Sequence, residues 1–212
     1  LYTYTESEVM LTDTWYRREV TSELNGVYCD KYSNVIYIQV NPTPTVVQPA
    51  DQVVRNGAST AAVNFSGDVS GTVFNWTNTA SSIGLASSGS GNIAAFNAVN
   101  NGTEPVTATI TVTPETTNGK TCTGSDVIFT ITVNPTPTVN GVANQLLCNG
   151  FATLAVNFTG SVSETVFNWT NTTSSIGLAA SGSGDISSFT AVNNGNEPVT
   201  ATITVTPEYE NL

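Results

Sequence analysis

Val106-Thr107-Ala108-Thr109-Ile110-Thr111-Val112-Thr113 alternates apolar residues with threonine at a period of two. Successive side chains of a strand point to opposite faces, so Val106, Ala108, Ile110 and Val112 are expected on a core and the threonines toward water. Val127, Phe129, Ile131 and Val133 repeat that pattern in the next strand. Ala61, Val63 and Phe65 form an earlier inward set, and Phe74 and Trp76 share one face of Thr72-Val73-Phe74-Asn75-Trp76-Thr77. Asn-Gly pairs at 56–57, 101–102, 118–119, 149–150 and 194–195 mark tight connections, because both residues tolerate positive φ. Ser87-Ser88-Gly89-Ser90-Gly91 and Ser181-Gly182-Ser183-Gly184 read as flexible connections.

The alternating strand returns as Val199–Thr206, and so does its surrounding sequence. Residues 41–115 recur as 134–208 at a constant offset of 93 without a gap, with about 55 of 75 positions identical. A period this long implies one small domain per repeat. Roughly seven short strands and one central tryptophan per repeat predict an immunoglobulin-like β-sandwich. Asn41-Pro42-Thr43-Pro44-Thr45-Val46 and Asn134-Pro135-Thr136-Pro137-Thr138-Val139 mark the boundaries. Proline fixes φ and restricts the residue before it, so these links are expected to be short and semi-rigid.

The predicted organisation is three units. Residues 1–40 form the C-terminal part of one domain, 41–133 a complete repeat, and 134–212 a repeat lacking its last strand. Ile36, Ile38 and Val40 sit 93 residues before Phe129, Ile131 and Val133, and Cys29 sits 93 before Cys122. Trp15-Tyr16-Arg17-Arg18-Glu19-Val20-Thr21 does not match the threonine-rich strand, so the first unit reads as a cousin of the other two. The chain is read as beginning inside a domain, without a signal peptide of its own.

Composition narrows the function classes. Hydrophobic residues make up 39% and charged residues only 10% of the 212, and the net charge is −11. The β-branched and Thr-rich content suits pleated, half-buried surfaces. Such acidity disfavours nucleic acid and anionic lipid. No run of about 18 apolar residues is present to insert in a membrane.

Catalytic chemistry finds little to build on. The chain has no histidine, which removes Ser-His-Asp and Cys-His arrangements and His-based zinc sites from within it. Cys29, Cys122 and Cys148 lack any C-x-x-C spacing, and the strand directions of a sandwich place Cys122 and Cys148 at distant ends, so no disulfide is expected. Glu6 with Glu8, and Glu208 with Glu210, would share a strand side, and read as solvated faces rather than a glycosidase pair. Glu104 and its copy Glu197 each precede a strand-opening proline and are expected to accept a backbone N–H. Asp51, Asp68 and Asp126 are isolated, and Asp51 and Asp68 become Asn144 and Ser161 in the second copy, unlike a calcium loop. Trp76 and Trp169 are expected in the core. Trp15, Tyr16, Arg17 and Arg18 divide between two strand faces, where an aromatic–arginine stack could form a patch. Asn-x-Ser/Thr triplets at Asn64, Asn75, Asn101, Asn157 and Asn168 follow from Asn and Thr richness. No catalytic, cofactor or metal residue is assigned, and no cofactor is expected.

The Asn-Pro-Thr-Pro-Thr-Val run, Ala143–Gly150, Val166-Phe167-Asn168-Trp169-Thr170-Asn171, Ser175–Gly182 and Pro198–Pro207 together resemble the PKD-like repeats of Bacteroidetes surface proteins, over nearly all of residues 41–212. SprB-type gliding-motility adhesins, exported by type IX secretion, carry such repeats. Residues 1–40 resemble a related Ig-like module through Trp15-Tyr16-Arg17-Arg18 and Ser33-Asn34-Val35. The resemblance implies an all-β fold of tandem immunoglobulin-like (PKD-like) β-sandwich domains joined by short Pro-rich links. It implies an extracellular, cell-surface location and a non-enzymatic stalk segment of a large adhesin, linked to surface adhesion or gliding motility. Neighbouring domains of the same long chain are the expected partners, with surface polysaccharide or other copies of the chain as further candidates. Three alternatives remain: a polysaccharide-binding repeat, an accessory region of a secreted hydrolase, and a self-assembling fibre completed by strand exchange.

Overall fold

The computed structural model describes residues 14–209, and within them the fold is all-β, with several sheets and an arrangement consistent with a β-sandwich. The helical elements among the described residues are two short 3-10 turns, Ser81–Ile83 and Ser174–Ile176.

The first repeat is built on one sheet. Its strands are β5 (Gln52–Arg55), β6 (Val73–Asn78), β7 (Ser88–Ser90), β8 (Val106–Asn118), β9 (Lys120–Thr123) and β10 (Val127–Asn134). The order across the sheet is β5-β10-β8-β6-β7, with β9 folded back on the far end of β8. β10 is antiparallel to β8, with Phe129 opposite Ile110 and Ile131 opposite Ala108, and parallel to β5. This register puts every second residue of β8 and β10 on one face. Ala108, Ile110, Val112, Phe129, Ile131 and Val133 are all buried. The outward threonines meet across the strands, as Thr107 and Thr132 do through their hydroxyls at 2.9 Å.

Opposite this sheet run residues 58–66 and 92–98, joined by two antiparallel bridges, Ser59 with Asn97 and Val63 with Ile93. Val63, Phe65, Ile93 and Ala98 meet the sheet in one core cluster with Trp76. Phe65 packs between Phe74 (5.7 Å between ring centroids) and Phe129 (6.4 Å, edge-on). Ala61 departs from the expected inward set and is exposed. Gln52 takes the place of a strand partner there: its Oε1 accepts the Ala61 N–H at 2.9 Å and its Nε2 donates to the Ala61 carbonyl at 3.1 Å. The inward residues are therefore Thr60, Val63 and Phe65, and the alternation breaks between 60 and 63.

The Ser-Gly runs also depart from expectation. Ser88–Ser90 and Ser181–Ser183 are strands, not flexible connections. Trp76 lies directly opposite Gly89, and a Cβ on Gly89 would stand 2.2 Å from the Trp76 ring. The glycine is there to admit the indole, whose Nε1 donates to the Gly91 carbonyl at 3.1 Å. Trp169, Gly182 and Gly184 repeat the arrangement.

The second repeat keeps β11 (Thr165–Asn171), β12 (Ser181–Ser183) and β13 (Ile203–Tyr209) in the order β12-β11-β13. Its bridges, Ala152 with Thr190 and Val156 with Ile186, match those of the first. A separate hydrophobic cluster is centred on Phe158, Trp169 and Ile186.

Ahead of the repeats, β1 (Thr14–Tyr16) pairs with β4 (Ile36–Ile38), and β2 (Glu19–Leu24) with β3 (Val27–Tyr32) through a turn in which Asn25 and Gly26 both have positive φ. This is the counterpart of β8, β9 and β10 with one extra turn residue. Cys29 faces Ser22, seven positions away in sequence, while Cys122 faces Thr116, six away. The backbone register of the first hairpin is thus shifted by one residue against the offset of 93, while Trp15–Thr21 remain different in sequence from the threonine-rich strand.

The proline links are part of the folded body. Pro44 and Pro135 are fully buried. A Cβ on Gly67 would stand 2.1 Å from the Thr45 carbonyl, and one on Gly124 would stand 1.8 Å from that of Pro44, so the chain passes close on both sides. Asn41 Nδ2 donates to the Asn118 carbonyl at the β8–β9 tip (2.7 Å). At the second link, Asn56 donates its N–H to the Asn134 carbonyl (2.9 Å) and its Nδ2 to Thr136 Oγ1 (3.0 Å).

Candidate functional site

Several carboxylates are engaged in hydrogen bonds that hold the fold. Asp68 Oδ1 accepts from the Thr45 hydroxyl at 2.7 Å and the Thr45 N–H at 3.0 Å, tying the first link to the body. The Thr45 hydroxyl, aided by backbone N–H groups, holds the Asp68 carboxyl below its ordinary value against the opposing effect of desolvation. In the second copy Ser161 does the same work without charge, its hydroxyl 2.8 Å from that of Thr138. Asp51 accepts the Thr130 N–H at 2.6 Å, and Asp126 accepts from the Thr113 hydroxyl at 2.6 Å. Among the described residues no group of three or more His, Cys, Asp or Glu could hold a metal ion.

Glu104 differs from expectation, because its carboxylate takes no backbone N–H; its contact is the Ser163 hydroxyl at 3.4 Å. The loop is organised by Asn100 instead. Asn100 is buried, accepts the Gly102 N–H at 2.9 Å, and donates to the carbonyls of Glu104 (2.8 Å) and Val133 (2.7 Å). The repeated Asn100 and Asn193 are the signal that could have identified this role. In the second copy Asn193 keeps the Gly195 and Glu197 bonds, and lacks the third.

Trp76 and Trp169 are 8% and 7% exposed, in the core as expected. Arg17 does stack on an aromatic ring, and its partner is Tyr32, 4.0 Å from the ring centroid. Trp15 stands opposite Tyr37 in the backbone register. Glu6, Glu8 and Glu210 lie outside the described residues. Glu208 accepts from Asn168 Nδ2 at 3.0 Å, as Glu115 does from Asn75 at 2.9 Å, so these two amides serve cross-strand bonds. Asn171-Thr172-Thr173 also fits the Asn-x-Thr triplet, but Asn171 is buried and caps the Leu178 and Ala179 carbonyls. Cys29, Cys122 and Cys148 are free thiols, two of them exposed. No helix among the described residues is long and apolar enough to cross a membrane.

What does form a concave surface is the second repeat. A groove of about 720 Å3 runs along it, walled by Leu146, Leu147, Phe158, Ile176, Ala201 and Ile203 among others. It lies where β10 lies in the first repeat. Val106, Ala108, Ile110 and Val112 line the same position there, and their copies Val199, Ala201, Ile203 and Val205 face the opening. Leu146 is fully exposed. The arrangement offers apolar side chains and strand edges without a strand partner among the described residues, the features that take up an extended peptide, with the free thiol of Cys148 on its wall. No protein-family model matches this chain, and no match is found among curated proteins.

Proposed function

We propose that this chain is a structural stalk segment of a large bacterial cell-surface adhesin, made of tandem immunoglobulin-like (PKD-like) sandwich domains. The units on this reading are 1–40, 41–133 and 134–212, and their location is extracellular. The role is mechanical and not enzymatic: sandwiches resist extension, and stiff links hold them apart so that a distal part is presented away from the cell. Adhesion or gliding motility and export by type IX secretion belong to the same reading, which rests on the resemblance of the repeats.

The observation that carries it is the engagement of the links. Pro44 and Pro135 are buried, and hydrogen bonds tie both links to the first repeat, from Asn41 to the end of β8, from Thr45 to the loop residue Asp68 and from the loop residue Asn56 to Thr136. A linker meant for free reorientation would be exposed and Gly/Ser-rich. The pattern of retention between copies points the same way. The core tryptophan, its glycine and the link prolines are kept, while Asp51, Arg55, Asp68 and the flanking loop residues change.

Small-angle scattering of the dilute chain tests the stalk geometry. An elongated particle with a narrow spread of dimensions is expected, and a broad ensemble typical of flexibly tethered domains contradicts it. Antibodies raised against residues 41–133 should label intact producing cells, with the label lost after mild surface proteolysis. Labelling only after lysis removes the surface assignment.

A further inference from the structure

The junction between the repeats is organised more firmly than a tether requires. Val162 lies in the turn that leads into β11. Its neighbours Ser161, Ser163 and Glu164 are exposed, yet Val162 itself is buried, at 5% exposure. It belongs to neither hydrophobic cluster, so the core of its own repeat does not account for its burial. The next residue, Ser163, reaches across to the first repeat, where its hydroxyl donates to the Glu104 carboxylate at 3.4 Å. Glu164 then adopts a φ of 55° at the position where the first repeat has Gly71 at 78°. A left-handed backbone is unfavourable for a residue with a Cβ, and such conformations persist where the surrounding contacts over-determine them.

The first repeat presents a prepared end to this turn. Asn100 holds the loop that carries Glu104, and its own N–H is accepted by Asn56 Oδ1 at 2.9 Å. Asn56 in turn binds the link at Asn134 and Thr136. Two asparagines therefore join the loop that meets Ser163 to the link that leads into the second repeat. Pro207 and Tyr209 of the second repeat share a small recess with Arg55, Asn56 and Pro135.

We propose that this end of the first repeat is a docking surface for the second, with Val162 seated in the joint, so that the two repeats hold one fixed orientation and stabilise each other. The partner is a like domain of the same chain. A link by itself is one point of attachment and leaves rotation about its own axis. The contact of Ser163 with Glu104 is a second point, and two points fix rotation. Coupling between nearest neighbours is a main source of stability in tandem arrays. The joint does not rest on the stalk reading: surface labelling reports where the protein lies, and a stiff link without coupling would still scatter as an elongated particle.

Residual dipolar couplings of the intact, dilute chain test the joint. One alignment tensor is expected to fit both repeats. Val162→Asp should give each repeat its own tensor, and in urea should raise the unfolding equilibrium constant of the less stable repeat by about tenfold. Ser163→Asp is the gentler variant, decisive should Val162→Asp unfold the second repeat. It changes an exposed residue and sets a new carboxylate against that of Glu104. At low salt, where screening is weak, it is expected to separate the tensors, and Glu104→Gln, a change in the other repeat, is expected to reunite them. Distinct tensors in the original chain overturn the proposal. So does a tensor that stays shared in either folded variant, or a failure of Glu104→Gln to restore the Ser163→Asp chain.

Discussion

The two repeats share a fold-deciding sequence, and they differ in structure by more than one strand. The first has β10; among the described residues of the second nothing stands in its place. Two neighbours change with it. Gln52–Arg55 is a strand in the first repeat, while its copy, Gln145–Cys148, pairs with nothing as a strand and exposes Leu146. β8 begins at Val106, while β13 begins only at Ile203, the copy of Ile110. The reason lies in the register. β6 pairs with β8 only from Ile110 onward, and Thr109 is held besides by Thr79, so Val106–Ala108 are the residues whose strand partner is β10 alone. Among the described residues β5 likewise has β10 as its only strand partner. One strand thus supports both of its flanks, and it brings three fully buried side chains, each worth about 1.5–3 kcal/mol. The end of the core built on tryptophan is indifferent to this. Phe158, Trp169 and Ile186 remain as buried as Phe65, Trp76 and Ile93.

That contrast can be broken or sharpened by paired substitutions, with each repeat followed through its own NMR signals in urea. The largest effect should be a shared one. Trp76→Ala and Trp169→Ala are each expected to cost about 3–5 kcal/mol, and a clear inequality would show that loss of β10 reaches the tryptophan end. Next comes the pair that should disagree. Ile110→Ala should cost about 2–5 kcal/mol, whereas Ile203→Ala, facing the groove, should cost less than half as much. Equal costs would mean that the second core is closed in solution. Asn100→Ala should lose about 1–3 kcal/mol through stranded buried carbonyls, and Asn193→Ala clearly less, because Asn193 is not buried. The smallest difference is electrostatic. The Asp68 pKa is lowered in the fold, so its contribution is complete above about pH 4 and fades as pH falls through the lowered value. Acid titration should therefore weaken the first link while leaving the Thr138–Ser161 contact unaffected. Asp68→Ser should remove that acid sensitivity, and its persistence would place the titrating group elsewhere.

Much of the fold was legible because it rests on strict alternation. Val106–Thr113 and Val127–Val133 declare their inward faces, and Trp76 declares the core. Three features were not legible from local pattern. Ser88–Ser90 is a strand because Trp76 needs a residue without a side chain opposite it, a requirement set by the partner strand. Ala61 turns outward because Gln52, nine residues earlier, bonds to its backbone. The first hairpin carries one extra turn residue, which shifts its register against the offset of 93. At the groove, the loss of regular pairing in Gln145–Cys148 and in residues 199–202 depends on pairings that only the assembled sheet defines.

Amide hydrogen exchange on the dilute chain measures the central claim, that β10 separates the two copies. Residues 52–55 and 106–108 are expected to exchange slowly, with 145–148 and 199–201 exchanging orders of magnitude faster, while the strands beside Trp76 and Trp169 are protected alike. Equal protection of 199–201 and 106–108 in the monomer would contradict it.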